Sequence, residues 1–415
     1  MRVFNIQSDL KFKSEKQKFR NEAMNETNPR WENAALRETP LEKKPFDLRT
    51  PFERDKNRIM YSEGYDRLRY KTQVFFNPQN DMVSTRSTHV ALVSDIARSI
   101  SKRLGLNEDL AEAIAQGHDI GHTPFGHDGE KVLDKISQSK GLPKFWHEKN
   151  SLRMADDILL LENSKGKLKN LDLTYAVRDG IINHCGEVNQ NFVMPREEFI
   201  DLKTIQRPAQ VQPYTWEGVV VKISDKIAYL GRDIEDAKKM GILKGKQLKE
   251  LNKMMAKQLG VPNIEANNTN IVNLFIHDIV QNSSPDKGIG FSEPVAHLMD
   301  DIKEFNYKNI YLNPKVKNIN SKTVDEIIKQ VFDYYETSYD ERAFVKNTRK
   351  NPILTTFKNW AVRYTNTPER PKNCDNKILY HLKNPKEYNQ AIVDFISGMT
   401  DKYILRVFKF INKTK

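Results

Sequence analysis

Cysteine is the scarcest informative residue in this chain of 415 residues. The two that occur, Cys185 and Cys374, stand far apart, so they build neither a disulfide framework nor a cysteine-based metal knuckle. Long apolar runs are missing as well. No stretch approaches the roughly eighteen residues that a bilayer-spanning helix needs, and mean hydropathy is -0.68. Met1 to Lys18 alternates charges with single apolar residues and has no signal-peptide core. These absences exclude a disulfide-stapled secreted domain and a helical membrane protein; a reducing, cytoplasmic setting with no membrane partner is expected. Strand signals are thin, with only Gln190 to Met194 and Lys308 to Leu312 read as short ribbons, and there is no internal repeat.

What is present is enough apolar material, 38% of residues, for one large core or two closely joined lobes. Against 55 acidic residues stand 67 Lys and Arg, a net charge of +12. Such a surplus draws anions, whether phosphates in a pocket or a nucleic-acid backbone. The lysines are scattered without a long block, so a solvated surface is the other reading. Tyrosines and lysines do not interleave into a stacking platform, which leaves single-stranded nucleic-acid binding as a secondary expectation.

Residues 1–50 are polar, with Pro29, Pro40 and Pro45, and read as an N-terminal arm or packed extended segment. Helical text follows over 51–240. Ser87 to Leu104 sets Val90, Val93, Ile96, Ala97 and Ile100 near one face and stops at Gly105. Glu108 to Gln116, Asp128 to Ile136, His147 to Leu161 and Leu173 to Asn183 continue in the same style. A long helix from about Thr215 to Met240, apolar at Val219, Val220, Ile223, Ile227 and Leu230, should be central. Residues 241–415 are expected to be mostly helical, at least over 322–338 and 386–411, with 341–380 irregular. The expected fold class is all-α.

The sharpest local feature runs from Gly117 to Glu130. Within it lie His118, Asp119, His122, His127, Asp128 and Glu130, interrupted by Gly121, Pro124, Gly126 and Gly129. A structural helix has no use for that mixture. Glycines let the chain turn sharply and approach a ligand, and an adjacent imidazole and carboxylate suit a divalent metal. Capping and turn formation is the alternative reading of the same residues. Two further candidates lie apart: His89, opening an amphipathic helix, and Asp225, among apolar neighbours mid-helix, where a carboxylate is costly unless paired or bound to metal. A salt bridge at the core edge is the alternative for Asp225, and core packing for Tyr229.

Spacing alone does not unite these residues. Their order, His89, then His118-Asp119, then Asp225, resembles the HD phosphohydrolase pattern. Longer strings are similar to the deoxyguanosine triphosphate triphosphohydrolase family: Arg58-Ile59, Lys71 to Phe75, Thr85 to His89, Gly117 to Glu130, and Ile223 to Asp236. The resemblance makes 51–240 an HD catalytic core and 241–415 a region that completes it and supplies oligomer contacts.

It also implies roles. His89, His118, Asp119 and Asp225 match the metal ligands, for a divalent ion among Mn, Mg, Fe, Ni, Co and Zn. His127 matches the acid–base histidine and Glu130 the carboxylate that orients it. His122 and Arg86 match groups at the phosphates, as does Lys226. Gln73 and Asp233 match residues at the sugar 3′-hydroxyl, and Tyr229 one packed on the deoxyribose. Asp225, Tyr229 and Asp233 are four residues apart in turn, hence on one helical stripe. The chain departs from the family at Phe145-Trp146-His147-Glu148, where the usual preceding glycines are missing; His147 is expected to face the triphosphate or the attacking water.

The implied activity is metal-dependent conversion of deoxynucleoside triphosphates to deoxynucleoside and tripolyphosphate, by a homo-oligomer, tetramer or hexamer, with a second nucleotide as activator in some members. An HD-type nucleotidase or phosphodiesterase using the same metal box is the rival reading, and a single-stranded nucleic-acid-binding protein the rival from another class.

Overall fold

Thr215 opens the longest helix of the chain, its side chain accepting a hydrogen bond from Gly218 N, and Trp216–Lys239 follows for more than six turns. That helix is sequestered on most sides: Val219, Val220, Ile227, Leu230 and Ile234 have no exposed surface. In the computed structural model it packs against Arg86–Leu104, Glu108–Gly117, Tyr175–Asn183 and Asn268–Asn282. Each fully buried Val, Leu or Ile contributes about 1.5–3 kcal/mol, so the helix is the natural axis of the fold. The structure describes residues 17–42, 45–76, 80–185, 191–317, 321–346, 348, 351–381 and 383–413. The first sixteen residues of the expected N-terminal arm, and Gln190 of the expected ribbon, lie outside the described residues.

The surrounding helices start and stop where the sequence supplies caps. Asn107 caps Glu108–Gly117 by accepting from Asp109 N and Leu110 N, and Gly105 ends Arg86–Leu104 in the left-handed region at φ 85°. Beyond the central helix, Ser321–Glu336 packs against Gly126–Ser139, Pro385–Ser397 and Asp401–Lys413. One apolar cluster extends from Phe19 to Ile411. The protein is all-α. Strand among the described residues is confined to three two-stranded antiparallel ribbons: Leu160–Glu162 with Leu168–Asn170, Phe192–Val193 with Ile289–Gly290, and Tyr339–Asp340 with Phe344–Val345.

Several expected elements need correction. The helix from His147 is α-helical only to Arg153; a π-helical turn over Met154–Ile158 ends it, and Leu160 enters a ribbon. Its apolar residues suit a helix or a strand equally, and the turn at Asn163–Gly166 decides for the ribbon. Lys308 to Leu312 is no ribbon, because Tyr307–Tyr311 is a π-helical continuation of Glu293–Asn306. The helix expected over 386–411 is two, Pro385–Ser397 and Asp401–Lys413. The stretch 341–380 contains the helix Pro352–Ala361, whose Asn351 cap and Pro at the first position are a legible start signal.

The segment before the core is held by one buried carboxylate. Glu217 Oε1 accepts from Met24 N and from Asn107 N, both at 2.9 Å. Burial pushes its pKa up to about 6 despite those two N–H groups. The folded state therefore holds this proton more tightly than the unfolded chain. Stability relative to a Glu217→Gln variant should fall by about 2 kcal/mol as pH rises from 4.5 through about 6. Denaturant midpoints at a series of pH values measure it, and a difference independent of pH would contradict the assignment.

Candidate metal centre

Four segments deliver the side chains expected at the metal. His89 stands one turn inside Arg86–Leu104, His118 and Asp119 follow directly on Glu108–Gly117, and Asp225 projects from the middle of the central helix. The chain then turns tightly. A Cβ on Gly121 would lie 2.2 Å from Ser151 N, and one on Gly129 1.9 Å from Pro124 O, so the loop is pressed on backbone at both positions. That closeness explains the glycines better than turn conformation does. The loop ends at Phe125, in the left-handed region at φ 63°, and Gly126–Ser139 begins.

His89 Nε2 lies 2.9 Å from Asp225 Oδ1; His118 Nε2 lies 3.8 Å from Asp119 Oδ2 and 4.0 Å from Asp225 Oδ1. His118 Nδ1 donates to Ala115 O at 2.6 Å, which leaves a buried Nε2 without a hydrogen-bond partner. Arg86 forms an ion pair with Asp119. Burial works to raise both acids, yet Arg86 and the neighbouring histidines hold Asp119 well below the usual carboxylate range, and His89 holds Asp225 low. Burial keeps His118 neutral by lowering it. Two ionised carboxylates, the lone pair on His118 Nε2, and His89 Nε2 once an ion takes the place of the proton it gives Asp225 make a donor set for a hard-to-borderline divalent ion. The orphaned His118 Nε2 is the observation that such an ion fits.

A second cluster adjoins the first. Glu130 Oε2 accepts from His127 Nδ1 at 3.2 Å and from His147 Nδ1 at 3.0 Å, so the carboxylate expected to orient His127 is shared. The His127 side chain is 69% exposed, whereas His122 and His147 are buried and stacked with centroids 4.6 Å apart. Burial alone would depress His147, but Glu148 and Glu130 outweigh it and hold the imidazole up at about 9. His122 goes the other way, pushed well down by burial, Arg86 and His147. One charged and one neutral imidazole thus face each other at neutral pH.

Of the expected substrate residues, Gln73, Arg86 and Asp233 lie beside these clusters. A Cβ at Gly126 would meet Arg86 and the Gln73 backbone, each at 3.7 Å. Gln73 Oε1 is buried without a hydrogen-bond partner. On the central helix Lys226 is half-buried, Tyr229 packs partly buried against the core, and Asp233 is buried. Burial lifts Asp233 to about 7, while Tyr311 donates to its Oδ2 at 2.5 Å and His89 and Arg86 lie within electrostatic reach.

Tyr311, His184, Lys71 and Asp401 were not anticipated. Tyr311 comes from the segment misread as a ribbon. His184, just past Tyr175–Asn183, is a lone histidine with no local motif around it. Lys71 Nζ donates to His122 O and, at 2.9 Å, to Ser397 O. Asp401 accepts from Phe125 N at 3.0 Å, from Thr72 N at 3.0 Å, and from the Thr72 hydroxyl. The turn before His127 is thereby tied to the C-terminal helices; the string Lys71-Thr72 was a visible signal, its distant partner was not.

A family model described as the HD domain matches residues 86–230, from Arg86 to the middle of the central helix. With the metal-competent clusters, that match defines an HD-domain, metal-dependent hydrolase. Similarity extends well beyond the domain. The deoxyguanosinetriphosphate triphosphohydrolase-like protein of Caldanaerobacter subterraneus is 33% identical over 371 residues, covering 89% of this chain and 87% of that one. Proteins of the same description from Desulfatibacillum aliphaticivorans and Pelagibacter ubique are each 34% identical, covering 88% of this chain and 89% and 94% of their own. The chain belongs to the deoxyguanosinetriphosphate triphosphohydrolase-like family.

Replacing Asp225 by Ala removes a carboxylate that faces both His89 and His118, and with it charge neutralisation as well as a donor. Metal content and activity are expected to fall together. Elemental analysis of the folded variant is the check, and full occupancy would rule Asp225 out as a ligand.

Proposed function

We propose that this chain hydrolyses deoxynucleoside triphosphates to the deoxynucleoside and inorganic tripolyphosphate, with His89, His118, Asp119 and Asp225 holding a divalent ion. The observation that carries the reading is the single helical stripe Asp225–Tyr229–Asp233, on which Asp233 lies within electrostatic reach of His89 and Arg86. It lines up a tyrosine ring and a carboxylate along the helix from Asp225, beside the charges of His89 and Arg86. The printed names of the relatives support the same substrate class.

When bound, a divalent ion neutralises charge on the phosphoryl oxygens and acidifies water. The chain's own groups do the rest. A water oxygen bonds to the α-phosphorus as the bond to the 5′-oxygen breaks, and the departing 5′-oxygen takes a proton. We assign that proton to the His127 imidazolium, which releases it from Nε2, and the proton that the attacking water gives up restores the ring. Its Nδ1–H is committed to Glu130, which fixes the orientation of the ring and leaves Nε2 for the transfer. Arg86, Lys226 and the His147 imidazolium balance charge along the triphosphate, and neutral His122 offers a hydrogen bond at the same end. Tyr229 supports the face of the deoxyribose, and Gln73 and Asp233 hold its 3′-hydroxyl.

Loss of a positioned proton-transfer group costs on the order of 10²–10⁴-fold in rate. His127→Ala should therefore keep its metal and fold while kcat drops by that amount; a rate within about threefold of the parent would withdraw His127 from the chemistry.

The substrate class is tested with the four deoxy and four ribo triphosphates, alone and mixed, scored by released nucleoside and tripolyphosphate. Burying an unpaired 2′-hydroxyl costs roughly 1–3 kcal/mol, and steric overlap with Tyr229 adds to it. The parent should favour deoxy over ribo forms by at least about tenfold in kcat/KM, and Tyr229→Ala should narrow that ratio. Equal turnover of both sugars would remove the sugar gate. Release of monophosphate and pyrophosphate would move the reading to another HD hydrolase. Turnover appearing only in the mixtures would identify a nucleotide activator, and light scattering on the same samples tests the tetramer or hexamer.

A further inference from the structure

We propose that His184 is an additional ligand in the metal centre, bringing its Nε2 to the same ion as His118. The inference rests on the metal reading above and extends it by a residue outside the four matched positions. His184 and His118 are held in the same way. Each follows the last residue of a helix, and each donates Nδ1–H to the carbonyl three residues back: Ile181 O at 2.7 Å for His184, Ala115 O at 2.6 Å for His118. A ring fixed so carries its lone pair on Nε2, the arrangement that orients metal-binding histidines. Both Nε2 atoms are buried and both lack a hydrogen-bond partner. The two rings stand 4.9 Å apart, inclined by 75°.

The donor atoms of His118, Asp119 and His184 all lie within 4.8 Å of one another, as do those of His89, His118 and Asp225. Donors that share one ion at about 2.1 Å each are at most about 4.2 Å apart, so closure of either set asks for side-chain shifts of less than an ångström. The two sets meet at His118. Its Nδ1 is committed to Ala115, and one Nε2 lone pair serves one ion. The five donors do not all lie within 4.8 Å of one another, so the proposed single ion, with His89, His118, Asp119, His184 and Asp225 around it, draws the two triads together by a larger movement than either needs alone. On a six-coordinate ion this leaves one open position, where four ligands would leave two. His147 and Cys185 also lie near His184, but His147 Nδ1 is bonded to Glu130, and Cys185 Sγ sits 3.7 Å from both His147 Nε2 and Asp225 Oδ2.

The test uses the full chain loaded with Co(II). In the parent, proton NMR should show three strongly shifted, exchangeable imidazole N–H signals, from His89, His118 and His184. Two such signals would overturn the proposal without any variant having to fold. His184→Ala, checked for fold by circular dichroism, should still bind one ion but show altered visible absorption. Its release of Co(II) to a chelator should be at least tenfold faster, in line with the 10–100-fold effects of residues that support a metal site. An unchanged spectrum with release within twofold of the parent would mean that His184 meets water or substrate instead. Asp225→Ala separates this failure from a deeper one. If it loses its ion while His184→Ala behaves as the parent, only the additional ligand is wrong; if it keeps its ion, the metal reading beneath the proposal fails.

Discussion

Two carboxylates, Asp119 and Asp225, are drawn out of water yet remain charged, and the surrounding structure is organised to make that tolerable. An isolated carboxylate in such a place would take up a proton instead. Here Arg86 meets Asp119 from the start of one helix, and His89 meets Asp225 from the next turn of that same helix. One helix end thus compensates both acids. This places tight demands on the backbone, because Arg86–Leu104, Glu108–Gly117 and the central helix must all pass close to one point. The near-continuous apolar faces of those helices hold them there.

The same compensation sets the electrostatics of the neighbouring histidines. Burial outweighs the nearby acids at His118, His122 and His184, which it lowers, whereas His89, bonded directly to Asp225, is raised. His147 differs because it has carboxylates of its own, Glu148 and Glu130. A cluster of chemically identical side chains is divided into lone-pair donors and a cation by which acids lie within reach.

Much of this was legible in the sequence, and what was legible shares a property. The Gly117–Glu130 string mixes histidine, acid and glycine in a way no packed helix needs, and Asp225 is conspicuous among Val221, Ile223 and Ile227. Both are anomalies against a local background. The helices were visible by periodicity and caps, with errors where an apolar segment suits two conformations, as at Leu160 and at Tyr307–Tyr311. His184, Tyr311 and Asp401 are unremarkable in their surroundings. Their significance comes from contacts across large sequence separations: Tyr311 with Asp233, Asp401 with Thr72 and Phe125. No window of neighbouring residues carries that information. Glu130 is an intermediate case, since its pairing with His127 follows from spacing and its second bond to His147 does not.

The ties that Lys71 and Asp401 make to the His122–His127 turn have a bearing on when the protein becomes competent. Ser397 and Asp401 are made long after the turn they secure, and Ser321–Glu336, which packs against the His127 helix, is also a late product. A nascent chain that has completed every proposed metal-ligand position through Asp225 still lacks these braces. During translation the His122–His127 turn would remain without its anchors until the closing helices emerge from the ribosome. A chain built in this order gains the braces of that turn only in the last part of its own synthesis.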